Sequence, residues 1–551
     1  MEDITLKIKN LVDKAISGET THQDAVQGIT PNDIDAFSFP VAALQGDEIE
    51  LVSGLQKGAS GVANGIAAFS IEEAKRLISE GKSVVLIRNE TSAEDTKTIK
   101  QCAAVVTMVG SRTSHAVIIC RGEGIPCLTG GGKINIDQQN KHLLDESGSN
   151  LVTEGDEISV DGNTGKIYKG EIPKHHLLPP PELATLLDWA DEVSKVKTYV
   201  ILDSIQGINK AINDKAKGVS ILRTEHMFFE GERTPVFQQL ILEPVENVKR
   251  RQELLKELEV FQKDDFTKIF NEAALSPKPF PINIRLLDPP MHEFLPKPEN
   301  WDSFITETGG RFSHEDIKKR CDALHENNPM MGTRGVRLLL KYPDIMRMQV
   351  KAIFEAAADS EKETGKPAVF GICLPMVNNA QQVKDCKAII NEVRDEVIKE
   401  NNLSKNALQY KTSSMIEIVS AAIDAKEIAR EVDNFSFGTH DLTAGVESSD
   451  RDSCQDPEIF VSLSPATKFM VNYAAKQGKS VNKQLTMGIC GDQGKDLETL
   501  KTICSEIPEI NYITANPQDI MKTRLSAGQA GIYASKAQNK YINISNSIMN
   551  L

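Results

Sequence analysis

A histidine placed directly behind two hydroxyl residues is the sharpest local signal in the chain. It lies in the run GSRTSHA at 110–116, which continues into the apolar stretch VIIC before Arg121. Thr113 and Ser114 are residue types that cap helix N-termini, and the apolar run after them reads as the helix itself. His115 then falls in the first helical turn, where free backbone N–H groups and the helix dipole favour an anion. A neutral imidazole there, with Arg112 and Arg121 flanking it, suits reversible phosphorylation at a ring nitrogen. A capped helix carrying an incidental histidine accounts for the same residues and stays open at this point.

A second set of reactive types recurs at the ends of apolar runs in the C-terminal part. Arg223, Arg285, Glu417, Asp441 and Cys490 each sit at or just after such a run. In a barrel of alternating strands and helices, those positions converge on the axis at one face. The competing reading of Glu417 and Asp441 is a surface ion pair. Cys490 precedes Gly491 at a strand end, so its thiol should face the axis. A buried, inert thiol is the alternative, and it is the reading given to Cys373 and Cys504.

The elements that must position these residues follow from the pattern of the chain. Residues 1–50 read as a short helical lead segment, broken at Gly18 and near Pro31. Over 51–170, short apolar runs divided by glycine and polar turns predict strands mixed with a few helices, a compact α/β domain. Residues 171–196, with Pro179, Pro180 and Pro181, read as an extended, stiff linker. From 197 to 551, eight strand-like runs alternate with helical stretches. They are TYVILD, GVSILR, PINIRLLD, VFGICLP, TSSMIE, NFSFGT, MGIC and NYITA. Eight such units over about 350 residues predict a (β/α)₈ barrel with insertions.

Composition narrows the function classes. Among 551 residues the net charge is −15 and no basic block interrupts it, which argues against a nucleic-acid partner. No apolar run is long enough for a membrane-spanning helix, and the N-terminus lacks a signal-peptide core. The nine cysteines show no C-x-x-C pair, so a structural zinc site or disulfide framework is not expected and a reducing cytoplasm fits.

The run around His115 resembles the phosphohistidine segment of the phosphoenolpyruvate-utilising enzymes, with Ser111 in place of a glycine. Further segments resemble the same family in order: LRTEHMFF (222–229), IRLLDPPMHEFLP (284–296), NPMMGTRGVRLLL (328–340), SSMIEI (413–418), FGTHDLT (437–443) and GICGDQG (488–494). LRTEHMFF and IRLLDPPMHEFLP look closest to the pyruvate phosphate dikinase branch. The resemblance implies a swivelling β/β/α phosphohistidine domain followed by a barrel that binds phosphoenolpyruvate and pyruvate. It assigns His115 as the phosphoryl carrier and Cys490 as the acid that protonates C3 of enolpyruvate. Arg285, Arg334 and Arg451 match phosphate-binding arginines, and Thr439 and His440 fall in the substrate loop. Glu417 and Asp441 match the Mg²⁺ ligands. The chemistry agrees, because a phosphate plus a carboxylate calls for planar, permanent cations, and Mg²⁺ prefers a few carboxylates with substrate oxygens.

Four positions depart from the family pattern: His440 for Asn, Val419 and Ser420 for Pro-Arg, and Ala444 for Gln. The helical lead resembles the segment that precedes the phosphohistidine domain in dikinases, and no ATP-grasp half or Walker pattern is recognisable before it. The implied activity is the pyruvate half-reaction, with a separate ATP-grasp protein or phosphocarrier as second partner and a homodimer through the barrel. The alternative is an impaired pseudoenzyme or regulatory protein that binds phosphoenolpyruvate. A barrel lyase of another kind leaves the histidine motif unexplained.

Overall fold

The computed structural model describes residues 4–549 apart from 92–94, 109–114, 131, 229–232, 327, 329–331 and 450–462. The chain divides into two compact units. One holds the residues up to Ser194 and the chain from Met521, and the other holds Lys195–Val446 with Ser462–Ile520.

The first unit contains a mixed eight-stranded sheet. Four of its strands run parallel, Val62–Ala68, Val84–Arg88, Ala104–Thr107 and Cys127–Thr129, with antiparallel strands at both sides. Helix His115–Glu123 is the crossover between the last two parallel strands. Its Ala116, Val117 and Cys120 pack into a core with Val84, Leu86, Val105 and Cys127. That burial makes the VIIC run helical although its composition also suits a strand. His115 is the first residue of the helix, which follows strand Ala104–Thr107 along the chain.

A second core in this unit joins segments far apart in sequence. Helices Ile4–Ile16 and His22–Gln27 pack with Pro181–Val193 and the last helix, Ile520–Met549, around Ile8, Val12, Leu186, Leu187 and Leu525. The 171–196 segment expected as a linker therefore carries a helix. Pro180 is extended (φ −66°, ψ 151°) and Pro181 takes the first helical position, where a missing N–H costs nothing. The last helix, expected within the barrel, clusters here because Gly528 and Gly531 let its backbone touch the 181–193 helix. A Cβ at Gly531 would lie 2.2 Å from the Val193 carbonyl oxygen.

The second unit is a closed parallel barrel. Its strands are β1 (Lys197–Leu202), β2 (Val219–Arg223), β3 (Ile282–Arg285), β4 (Phe370–Leu374), β5 (Lys411–Ile416), β6 (Asn434–Gly438), β7 (Thr486–Cys490) and β8 (Tyr512–Ala515). All eight coincide with the predicted runs to within a few residues. The fold is thus α/β, a β/β/α domain followed by a (β/α)₈ barrel. No helix among the described residues is long and apolar enough to cross a membrane.

Candidate active site

Strand alternation decides which side chains enter the barrel. Ile201, Ile221, Cys373, Met415 and Cys490 come from five different strands and pack together, an arrangement only the lumen allows. Two residues further along their strands, Asp203, Arg223 and Glu417 share that inward direction one layer up. They stand at the carboxyl-end mouth, where barrel active sites form.

The arginines at the mouth are held by carboxylates. Arg223 gives its Nε and Nη2 to the two oxygens of Asp203, at 2.5 and 2.7 Å. Arg285 pairs with Glu225 and with Asp288, the latter at 3.0 Å, and Arg334 reaches Asp288 at 2.7 Å. Burial works against the Arg285 charge, but Glu225, Asp288 and Glu417 outweigh it and raise its pKa above the ordinary value. Arg334 is raised in the same way, burial being outweighed first by Asp288 and then by Asp441. Burial would raise the Asp288 carboxyl, yet Arg285 and Arg334 hold it below the usual range. These guanidiniums stay charged and fixed in direction, which is what recognition of a phosphate dianion requires.

The backbone around Arg334 is built tightly. Gly335 has φ 55°, and a Cβ there would lie 2.7 Å from Cβ of Met376 and 2.8 Å from the Pro375 carbonyl oxygen. Its N–H donates to the Asp288 carbonyl at 2.9 Å. Behind β3, the buried Gln349 accepts from the Leu287 N–H at 2.9 Å and donates to Thr224 Oγ1 at 3.1 Å. Thr224 in turn donates to the Arg285 carbonyl at 2.9 Å. The β2 and β3 ends are thereby locked together.

Glu417 follows β5, is 1% exposed, and accepts the Met376 N–H at 2.7 Å. Asp441 lies in the first turn of helix Thr439–Glu447, which follows β6. Burial first, then repulsion by Asp441 and Asp288, pushes the Glu417 carboxyl up to about 8, against the pull of Arg285 and Arg334. A buried carboxyl whose charge is opposed by a neighbouring acid suits a divalent cation. Gly438 supplies the room, since a Cβ there would come within 2.6 Å of Glu417 Oε2. Among the described residues no group of three or more His, Cys, Asp or Glu is arranged for a metal. Two carboxylates completed by substrate oxygens and water still fit Mg²⁺, which seldom takes an all-protein cage.

Cys490 ends β7, opposite Gly438 of β6 in register, and is close enough to Arg285 for their charges to interact. Thr439 is buried and accepts a hydrogen bond from Gln493, while His440 is partly buried in the same helical turn as Asp441. The barrel thus brings Arg285, Arg334, Glu417, Thr439, His440, Asp441 and Cys490 to one mouth. Arg451, Arg112, Thr113 and Ser114 lie outside the described residues, and of His115 only the helical position is described. Arg121 donates through Nε to the Gly58 carbonyl at 2.6 Å, which ties the helix to strand Gln56–Ala59.

Reading the sequence did not single out Asp203, Glu225, Asp288, Gln349 or Gln493. Asp203 and Asp288 carried the strand-end signal already used for Glu417. Gln349 gave no signal, because a glutamine in a helix looks like a solvated residue.

Comparison with known proteins places both parts of the chain in one family. Residues 181–531 match the description "PEP-utilising enzyme, PEP-binding domain", and residues 80–165 match "PEP-utilising enzyme, mobile domain". The pyruvate, phosphate dikinase of Clostridium symbiosum is 35% identical over 539 residues, covering 95% of this chain and 60% of that protein. That of Rhizobium meliloti (strain 1021) is 35% identical over 542 residues, covering 95% and 58%. Pyruvate, phosphate dikinase 2 of Oryza sativa subsp. japonica is 32% identical over 545 residues, covering 95% and 59%. The chain spans about three fifths of the length of these relatives. Among solved structures, a citrate lyase from Burkholderia xenovorans LB400 aligns over 35% of this chain and 60% of its own, at TM-score 0.26 and 15% identity.

Proposed function

The chain belongs to the PEP-utilising enzymes, and we propose that it performs their pyruvate half-reaction, exchanging a phosphoryl group between phosphoenolpyruvate and His115. The observation that carries this reading is the convergence of fixed arginines, two opposed carboxylates and one thiol on a single barrel mouth. In the proposed reaction Arg285 and Arg334, with Arg451, bind the phosphate. A neutral ring nitrogen of His115 forms the new bond to phosphorus as the bond to the enolate oxygen breaks. Thr113, Ser114 and Arg112 surround the phosphohistidine, and Thr439 and His440 orient the substrate carboxylate. Cys490 gives its proton to C3 of the enolate, which yields pyruvate, and the thiolate is left beside the Arg285 charge. Mg²⁺ held by Glu417 and Asp441 would supply electrostatic stabilisation of the charge developing on enolate and phosphate oxygens.

The other end of the relay is proposed to be an ATP-grasp protein or phosphocarrier, with the extended stretch before Pro181 as pivot, a homodimer through the barrel, and a cytoplasmic setting. A second reading, a regulatory protein that binds phosphoenolpyruvate without turnover, is favoured at one place. Ser420 stands where the family has arginine, and its hydroxyl accepts a hydrogen bond from Asn378 at 3.1 Å.

Incubation with Mg²⁺ and ³²P-labelled phosphoenolpyruvate separates the two. Acid-labile, base-stable label should appear on the wild type, with pyruvate released, and be absent from His115→Ala. Binding of phosphoenolpyruvate with neither label nor pyruvate would establish the second reading instead.

A further inference from the structure

The turn after β7 is tied to the helix after β6 by a buried hydrogen bond. Gln493 is 4% exposed, and its Nε2 donates to Oγ1 of the fully buried Thr439 at 2.7 Å. Thr439 opens the helix that carries Asp441, and Gln493 lies in the short turn that follows Cys490. Below this bond the strands are in register, with Gly438 opposite Cys490. The bond and the ladder therefore close a small frame whose two sides carry the Asp441 carboxylate and the Cys490 thiol. The frame has no slack. A Cβ at Gly491 would lie 2.3 Å from Gln493 Oε1 and 2.9 Å from Thr439 Oγ1.

We propose that Gln493 is a positioning residue, a strut that acts through Thr439 to hold the Asp441 carboxylate and the Cys490 thiol at the separation enolate protonation requires. The inference rests on the functional reading above and deepens it by assigning a role to Gln493, to which the family resemblance gave none. Thr439 alone can be oriented in several ways by its own rotamers; the amide of Gln493 selects one. A misplacement of about 1 Å at a reacting centre costs up to about a hundredfold in rate, so such a bond has leverage well beyond its own strength.

Three variants break the frame differently. Gln493→Leu removes the donor, Thr439→Val removes the acceptor at nearly constant shape, and Gly491→Ala pushes the amide aside while leaving it in the chain. Each should lower turnover of phosphoenolpyruvate to pyruvate on the order of tenfold, and in Gln493→Leu, which touches no substrate, KM should change less than about twofold. The Gln493→Leu/Thr439→Val double variant should be no slower than the worse single, because both remove the same bond. Gln493→Glu, which can accept from the Thr439 hydroxyl, should recover most of the loss. Multiplying effects in the double variant would overturn the proposal. So would a rise in KM alone in Gln493→Leu, the mark of a direct substrate contact. A wild type that forms no pyruvate would defeat the functional reading, and the strut would then be decided by urea midpoints of the wild type, Gln493→Leu, Thr439→Val and their double variant. Non-additive midpoint shifts support the bond, and additive ones remove it.

Discussion

Cys490 shares the lumen with Ile201, Ile221 and Met415, which carry no exchangeable proton, and with a second thiol, Cys373. Replacing Cys490 by alanine takes away the acid and leaves the arginines in place. Cys490→Ala should thus retain phosphoenolpyruvate affinity within about twofold while pyruvate release falls by about a hundredfold or more. Titration calorimetry beside a pyruvate assay checks both, and full turnover in the variant would exclude the thiol. Cys373 gives the internal contrast, since burial and then the neighbouring Glu417 raise its pKa and leave it a neutral filler. Glu417 supplies a pH prediction. Its carboxyl titrates near about 8 in the fold against an ordinary 4.5, so the folded protein holds that proton more tightly than the unfolded chain. The stability gained is complete below the unfolded value and is lost as pH rises from there through about 8. The melting temperature of the metal-free protein should fall across that window, and in Glu417→Gln the fall should be shallower. Parallel curves would show that Glu417 is not the titrating group.

At the scale of elements, the contact between the 181–193 helix and the last helix depends on two glycines. In Gly531→Ala the new methyl meets the Val193 carbonyl at 2.2 Å, a backbone atom that cannot turn away. Overpacking of this kind costs about 1–3 kcal/mol, and the better helix propensity of alanine returns up to about 1 kcal/mol. A net loss of about 1–2 kcal/mol is expected in urea unfolding, and an unchanged midpoint would mean that the helices are not in contact there. The same pair of helices shows where the sequence stops being legible. The eight strands were readable because burial on a parallel sheet writes itself into short apolar runs such as NFSFG, and the reactive residues were readable because they end those runs. Helix 181–193 was obscured by three consecutive prolines, of which Pro180 is extended and Pro181 starts the helix. The docking of the last helix rests on pairs such as Gln529 with Val26 and Ile29, both at 2.8 Å, roughly five hundred positions apart, for which no local pattern exists. At the site, residue types marked the arginines and acids, but which carboxylate holds which guanidinium is a matter of three-dimensional proximity. Hence Asp288, serving both Arg285 and Arg334, emerged only from the folded chain.

The whole molecule has separate hydrophobic cores in its two units, and units with their own cores unfold as separate cooperative blocks. Calorimetry should resolve more than one transition, each answering to its own residues. Arg524 labels the first unit: its side chain is 2% exposed and binds Asp188 at 3.0 Å and Asp191 at 3.1 Å. Arg524→Ala leaves both acids without their cation beside an apolar core. Asp188 is about half exposed and can rehydrate, so the cost is about 2 kcal/mol rather than the larger value for fully buried pairs. One transition should move down by several degrees while the other stays in place. Mg²⁺ with phosphoenolpyruvate should do the reverse, raising the barrel transition, because a ligand stabilises only the block that holds its site. A single transition shifted by both treatments would mean that the units fold as one body. Two independent shifts would mean that the histidine-bearing unit and the barrel keep their stabilities apart, as the proposed phosphoryl relay between them requires.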